Sequence, residues 1–286
     1  MKKSLYILFS LAALLTLASC EKDKYGTMPG KDTEPFVMVS QITPALPYDS
    51  DCDVILRLAA NNATTDVYYF AETAAQKEAR NLAEEAYADY VVSNGKKASL
   101  SANDFDGSSN ADVVLQTLYG EHVITAVAVN GNKKYSVSQS YTGLKWNDVV
   151  SGNYTFKTAS IASRAGGSPK QALLQQLDTD PDRYRFKDLF MVGKHLEFHI
   201  YRENGESFRG VDPDLGEFTY CRVEPQDTGL TYGSYGAVSV RDSGYKNNDD
   251  SFDVELYDDN MVYLYIQYYV SAGNLGTAWD NFKPAK

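Results

Sequence analysis

The chain holds three histidines, and two fall in one short run, His195-Leu196-Glu197-Phe198-His199. On a strand, alternate side chains share a face. His195, Glu197, His199 and Tyr201 therefore point one way, and Leu196, Phe198 and Ile200 the other. Nearest neighbours on that face stand ~7 Å apart, and His195 and His199 stand ~13 Å apart. That is too far for both histidines to reach one metal at bonds of ~2 Å. A metal at His195, Glu197 and His199 would need a further ligand from a neighbouring strand. The other reading is the polar face of an amphipathic strand. Asp178, Asp180 and Asp182 alternate like the start of a calcium loop, but that loop needs a glycine at its sixth position. Arg183 stands there, so the segment reads as a turn. A glycosidase needs two facing carboxyls, and 38 acids offer too many pairs to select one. Gly-x-Ser-x-Gly and glycine-rich phosphate loops do not occur, so no catalytic residue and no cofactor is assigned.

Aromatic residues are the stronger lead, with 22 Tyr, 12 Phe and 2 Trp. In Tyr263-Leu264-Tyr265-Ile266-Gln267-Tyr268-Tyr269, strand alternation gives two stripes. Tyr263, Tyr265, Gln267 and Tyr269 form one; Leu264, Ile266, Tyr268 and Val270 form the other. Exposed rings beside amides suit sugar stacking, being apolar on the face and wet at the edge. Trp279 could add to such a surface. The alternative is that one stripe fills a core and the other merely covers a sheet.

The elements that hold these residues begin after an export signal. Lys2 and Lys3 precede an apolar run from Leu5 to Leu17, then Leu17-Ala18-Ser19-Cys20. A positive start, a short apolar run and small residues before the cut define a secretory signal. The run is too short to span a bilayer, which takes ~20 residues. Leu-Ala-Ser-Cys resembles the lipobox of bacterial lipoproteins. The resemblance implies cleavage after residue 19 and lipid on Cys20, an anchor made stable by more than one acyl chain. Glu21-Lys22-Asp23-Lys24 is similar in part to the acidic export tags of surface lipoproteins of the Bacteroides group, which implies the outer membrane and an outward face. Residues 20–34 read as a flexible stalk, ~45–50 Å long if extended.

Without Lys2 and Lys3, 25 basic residues face 38 acidic ones, a net charge of −13. A nucleic-acid binder carries the opposite sign, whereas a neutral glycan or another surface protein is compatible. Apart from Cys20 only Cys52 and Cys221 remain, and they fall in different halves. Each reads as a buried apolar residue rather than half of a disulfide.

Residues 35–143 show short alternating runs: Phe36–Val39, Cys52–Leu58, Asp66–Ala71, Ala111–Leu118, Glu121–Asn130 and Lys134–Tyr141. Asn130-Gly131-Asn132 marks a tight hairpin. Six short strands in this length predict a β-sandwich, and their order resembles a fibronectin type III or immunoglobulin-like domain. No tryptophan is available for its core, so Tyr68 or Tyr69 must fill that space. Residues 73–92 read as one inserted helix, with Ala75, Ala79, Leu82, Ala83, Ala86, Tyr87, Tyr90 and Val91 on its apolar side. It would cover a sheet edge or face.

Residues 146–286 show longer runs: 152–158, 171–177, 183–189, 195–202, 217–223, 237–240, 251–257 and 261–270. About eight antiparallel strands predict a small barrel or a curled sandwich. Trp146-Asn-Asp-Val-Val-Ser-Gly-Asn-Tyr-Thr and Tyr268-Tyr-Val-Ser-Ala-Gly-Asn-Leu-Gly resemble the C-terminal β domain of Bacteroides-type lipoproteins that carry a fibronectin-like domain first. Some of those lie near polysaccharide-uptake systems. The chain is therefore expected to be a non-catalytic surface binding protein for glycan, or alternatively a structural or adhesive subunit.

Overall fold

The computed structural model describes residues 32–104, 106–247 and 254–285. The signal segment, Cys20 and most of the expected stalk lie outside the described residues. The protein is mainly β and divides into two compact units at Gly143–Leu144. No helix among the described residues is long and apolar enough to cross a membrane.

The first unit contains β1 (Val37–Ile42), β2 (Val54–Ala60), β3 (Asp66–Thr73), α1 (Ala74–Arg80), α2 (Glu84–Asn94), β4 (Lys96–Lys97), β5 (Ser101–Ala102), β6 (Ser109–Leu115), β7 (Gly120–Asn130) and β8 (Lys133–Gly143). Two antiparallel four-stranded sheets form, ordered β1-β2-β6-β5 and β4-β3-β7-β8. This is the expected immunoglobulin-like sandwich. Alternation drives it: Val54, Leu56, Leu58 and Ala60 of β2 are all buried, against Val67, Ile124, Ala126 and Ala128 of the facing sheet. Tyr69 packs against that core, whereas Tyr68 points to the opposite side. At the open edge the two sheets are tied by side-chain amides. Gln139 Nε2 donates to the Val39 carbonyl at 2.7 Å and Gln41 Nε2 to the Ser140 carbonyl at 2.9 Å.

The expected single helix over 73–92 is two helices. Thr73 opens α1 with a capping box to Gln76, and Asn81 ends it in the left-handed region at φ 47°. Asparagine tolerates that conformation better than most residues, so the chain turns and restarts at Glu84. Leu82, expected on the apolar side, is 44% exposed. Tyr87, Ala88 and Val91 of α2 cover Val127 on the outer face of the sheet. Glu72 is buried beneath, accepting hydrogen bonds from Tyr87 at 2.6 Å and Arg80 at 2.7 Å.

The second unit contains β9 (Trp146–Thr155), α3 (Ala159–Arg164), β10 (Lys170–Leu177), β11 (Asp180–Met191), β12 (Lys194–Ile200), β13 (Arg202–Glu203), β14 (Glu206–Ser207), β15 (Arg209–Asp212), β16 (Gly216–Arg222), β17 (Gln226–Thr231), β18 (Ala237–Asp242), α4 (Ser243–Asn247), β19 (Val254–Tyr257), β20 (Val262–Val270) and β21 (Gly273–Pro284). Eight antiparallel strands close a barrel in the order β9-β10-β11-β12-β16-β19-β20-β21, with β21 returning to β9. The hairpin β17–β18 continues the β16–β19 ladder. Cys221 pairs Val254, Val223 bonds Asp242 through the backbone, and Gln226 pairs Val240. Thus β16 and β17 act as one long bent strand. Its partner is broken after Asp242, where α4 begins.

An eight-stranded barrel is just wide enough for side chains to fill, and this one is packed. Phe186 lies at its centre, with ring centroids 5.1 Å from Tyr154, 5.6 Å from Phe198 and 4.9 Å from Phe282. Leu264, Ile266, Tyr268 and Val270 all enter this core. Gly152 faces inward, where a Cβ would stand 2.7 Å from the Phe282 ring. Cys52 and Cys221 are buried free thiols, so no disulfide staples the described residues.

One seam is closed by a side chain. β12 pairs with β16 only at His199 and Ile200. Further back, the Gln226 amide stands in for a strand: its Oε1 accepts from Glu197 N and its Nε2 donates to the Glu197 carbonyl, both at 2.8 Å. Gln226→Ala removes both bonds at the cost of about 1–2 kcal/mol. Urea denaturation should show that loss, and hydrogen exchange at the Glu197 amide should quicken. Unchanged exchange there would sink the account.

Candidate functional site: a charged groove and an aromatic shelf

The barrel presents two surfaces built by the residues singled out in the sequence. The first is an open groove of about 840 Å³ along the outer face of β12, lined by His195, Glu197, His199 and Tyr201 among others. As alternation requires, Leu196 and Phe198 point inward and are buried. The polar residues share the outer face but do not converge. His195 Nδ1 accepts from the Asp188 backbone N–H at 2.9 Å, while Glu197 is paired with Arg183 at 2.7 Å. Among the described residues, no group of three or more His, Cys, Asp or Glu side chains is placed to hold a metal.

Two further groove acids are paired with cations. Asp182 accepts from Arg202 Nη2 at 2.8 Å and Asp227 from Lys194 at 2.7 Å. These hydrogen bonds hold both carboxyls below the usual carboxylate range. A general acid needs the opposite shift. Among the described residues, the carboxyl that is pushed up, to about 6, is Asp280. It is fully buried inside the barrel, where no substrate reaches it. Asp178 is the first residue of the two-residue turn between β10 and β11, Asp180 opens β11, and Asp178 accepts from Asn147 Nδ2 at 2.8 Å.

The second surface lies on the outer face of β18, β20 and β21. Tyr265 and Trp279 are cross-strand partners. Their rings stack with centroids 5.0 Å apart and planes 29° apart. Trp279 remains 43% exposed. One row along, Arg241, Gln267 and Thr277 lie side by side. The Gln267 carbonyl oxygen accepts from both Nε and Nη2 of Arg241 at 3.1 Å. The guanidinium sits 4.5 Å above the Tyr269 ring. Four sequence-selected aromatics therefore divide. Tyr265 and Trp279 form a shelf, and Tyr269 props Arg241 beside it. Tyr263 leaves the group and packs edge-on to Tyr257 at 5.8 Å, over Phe218 and Met261.

Arg241 escaped the sequence reading, although its signal was present. Val238 and Val240 alternate inward, which places Arg241 on the outer face once the strand is extended by one residue.

No protein-family model matches the chain, and no curated protein matches it. Among solved structures, a Kfla1895 mutant in complex with cyclobis-(1->6)-alpha-nigerosyl is similar at 13% identity with a TM-score of 0.22. The match covers 84% of this chain and 30% of that one, so this chain spans under a third of that protein's length. A likeness this slight carries no argument about fold or function.

Proposed function

We propose that this protein is a non-catalytic binding lipoprotein, held in an outer membrane by lipid on Cys20 and facing the cell exterior. Its barrel would take glycan on the Tyr265–Trp279 shelf. The observation that carries the reading is the exposed indole of Trp279, backed on one side by Tyr265 and bordered by the Thr277 hydroxyl and by the Arg241 guanidinium, which the buried Gln267 amide holds in place. An apolar face with donors and acceptors at its edge matches a sugar ring, whose C–H faces are apolar and whose rim is hydroxylated. Three of the groove acids, Asp182, Glu197 and Asp227, are engaged by arginine or lysine, which favours binding over hydrolysis. The adhesive alternative calls for free strand edges, and the β1–β8 edge of the sandwich is tied by Gln41 and Gln139.

Affinity electrophoresis of the mature protein through gels carrying individual polysaccharides tests the reading. At least one polysaccharide should retard the protein, and Trp279→Ala should weaken that binding roughly tenfold, the loss of one good stacking contact. Circular dichroism of the variant checks that the barrel is intact. Mobility unaffected by every polysaccharide overturns the reading.

A further inference from the structure

Arg241 differs from most arginines of the chain. Six others are paired with carboxylates, as an acidic protein makes easy. Arg241 has no carboxylate partner among the described residues. Its contacts are the Gln267 carbonyl oxygen and the face of Tyr269. These fix the guanidinium while leaving three of its five N–H donors unused. The fixed cation lies one row along and two strands across from Trp279. That is about 12 Å between Cα atoms at ordinary sheet spacings, within the reach of a short oligosaccharide.

We infer that the glycan taken by the shelf is a carboxylated one, and that Arg241 receives the carboxylate while Trp279 stacks the adjoining sugar. This rests on the glycan reading above and narrows it. A planar guanidinium offers two parallel N–H groups to a carboxylate, and Gln267 pre-orients it so that little side-chain freedom is lost on binding. The net charge of the whole protein repels polyanions, so any preference for an acidic glycan must come from a local cation. Arg241 is a cation held in place beside the shelf.

The test is calorimetric titration of the intact mature protein, in detergent, with polygalacturonate, alginate and hyaluronate, each beside its methyl ester. The ester keeps the sugar backbone and removes the charge. At least one acid form should bind roughly tenfold tighter than its ester, the size of a charge-assisted hydrogen-bonded pair. Arg241→Met keeps an unbranched side chain without the charge and should reduce the acid form to the affinity of the ester. Arg241→Lys should keep part of the preference, because the charge remains and the fork does not. Trp279→Ala should weaken acid and ester alike. Equal affinity for acid and ester overturns the inference and leaves the glycan reading standing. A preference that survives Arg241→Met overturns the role of Arg241. No binding of any acid or ester overturns the inference, and polysaccharide gels that also fail to retard the protein remove the glycan reading with it.

Discussion

Replacing Asp242 by alanine should cost the protein about 3–5 kcal/mol, measured as a fall in the free energy of urea unfolding of the barrel. Asp242 is fully buried and sits where the long β18–β19 strand breaks. One carboxylate oxygen accepts from Arg222 Nη2 at 3.0 Å and from Tyr245 N at 2.5 Å, the first turn of α4. The other accepts from Arg222 Nε at 2.9 Å and Val223 N at 2.7 Å. The side chain therefore replaces the strand partner lost at the break and caps the helix inserted there. Its removal leaves a largely buried guanidinium, 11% exposed, and two backbone N–H groups without acceptors. Burying unpaired groups is expensive. Adding Arg222→Met to Asp242→Ala should return part of the loss, because the stranded charge is then gone. A cost under 1 kcal/mol for Asp242→Ala would sink this account of the break.

Acidification should stabilise the barrel through Asp280. This carboxyl is 0% exposed. It accepts from Lys157 N at 2.7 Å, Tyr268 Oη at 2.8 Å and Tyr154 Oη at 3.2 Å. Burial pushes its pKa up from 3.8 to about 6, against the pull of those three donors. Burial likewise holds both tyrosines well above their ordinary value. The folded value is the higher one, so the folded state takes up the proton more readily. The stabilisation is complete below about pH 3.8 and is lost as pH rises through about 6. Between pH 7 and pH 4.5, wild type should gain about 2 kcal/mol relative to Asp280→Asn. The asparagine cannot titrate, and the exposed carboxylates common to both proteins cancel in the difference. Denaturation curves that keep a constant separation across this range would refute the assignment.

Much of this architecture is legible in residue alternation. Val54, Leu56 and Leu58 read as one face of a strand and are one. Asn130-Gly131-Asn132 reads as a hairpin and closes one, with Asn130 opposite Lys133. The two tyrosine stripes of β20 both exist, one filling the barrel and one outside it. What the alternation hides is set by long-range pairing. Gly273, Asn274, Gly276 and Pro284 have the composition of a loop, yet they belong to the twelve-residue strand β21. Nine residues of β20 hold it on one side and β9 on the other. The run Gln226-Asp-Thr-Gly-Leu-Thr is polar for the same reason. As β17 it lies at the rim, and its first side chain substitutes for backbone. β9 reads as starting at Gly152 but begins at Trp146, because a register shift at Leu174/Gln175 lets β10 follow it further. Residues 156–158 leave the strand, and α3 follows. The shelf was legible as a list of aromatics and not as a place. Only the partner strand decides that Tyr265 meets Trp279 while Tyr263 does not.

The pairing of β21 with β9 also sets the order in which the barrel can be made. Tyr154 and Asp280, joined by a hydrogen bond, lie 126 residues apart in the chain. Each earlier neighbour in the ring can form as a hairpin or a short crossover, whereas the last ladder closes a loop as long as the unit itself. Such contacts are slow to form and bring no reward until they are complete. Until β21 docks, the nascent ring is an open, curled sheet whose inner face of Tyr154, Phe186 and Phe282 is still wet. Docking of β21 on β9 is therefore expected to come late, drying the interior and giving Asp280 its buried surroundings together.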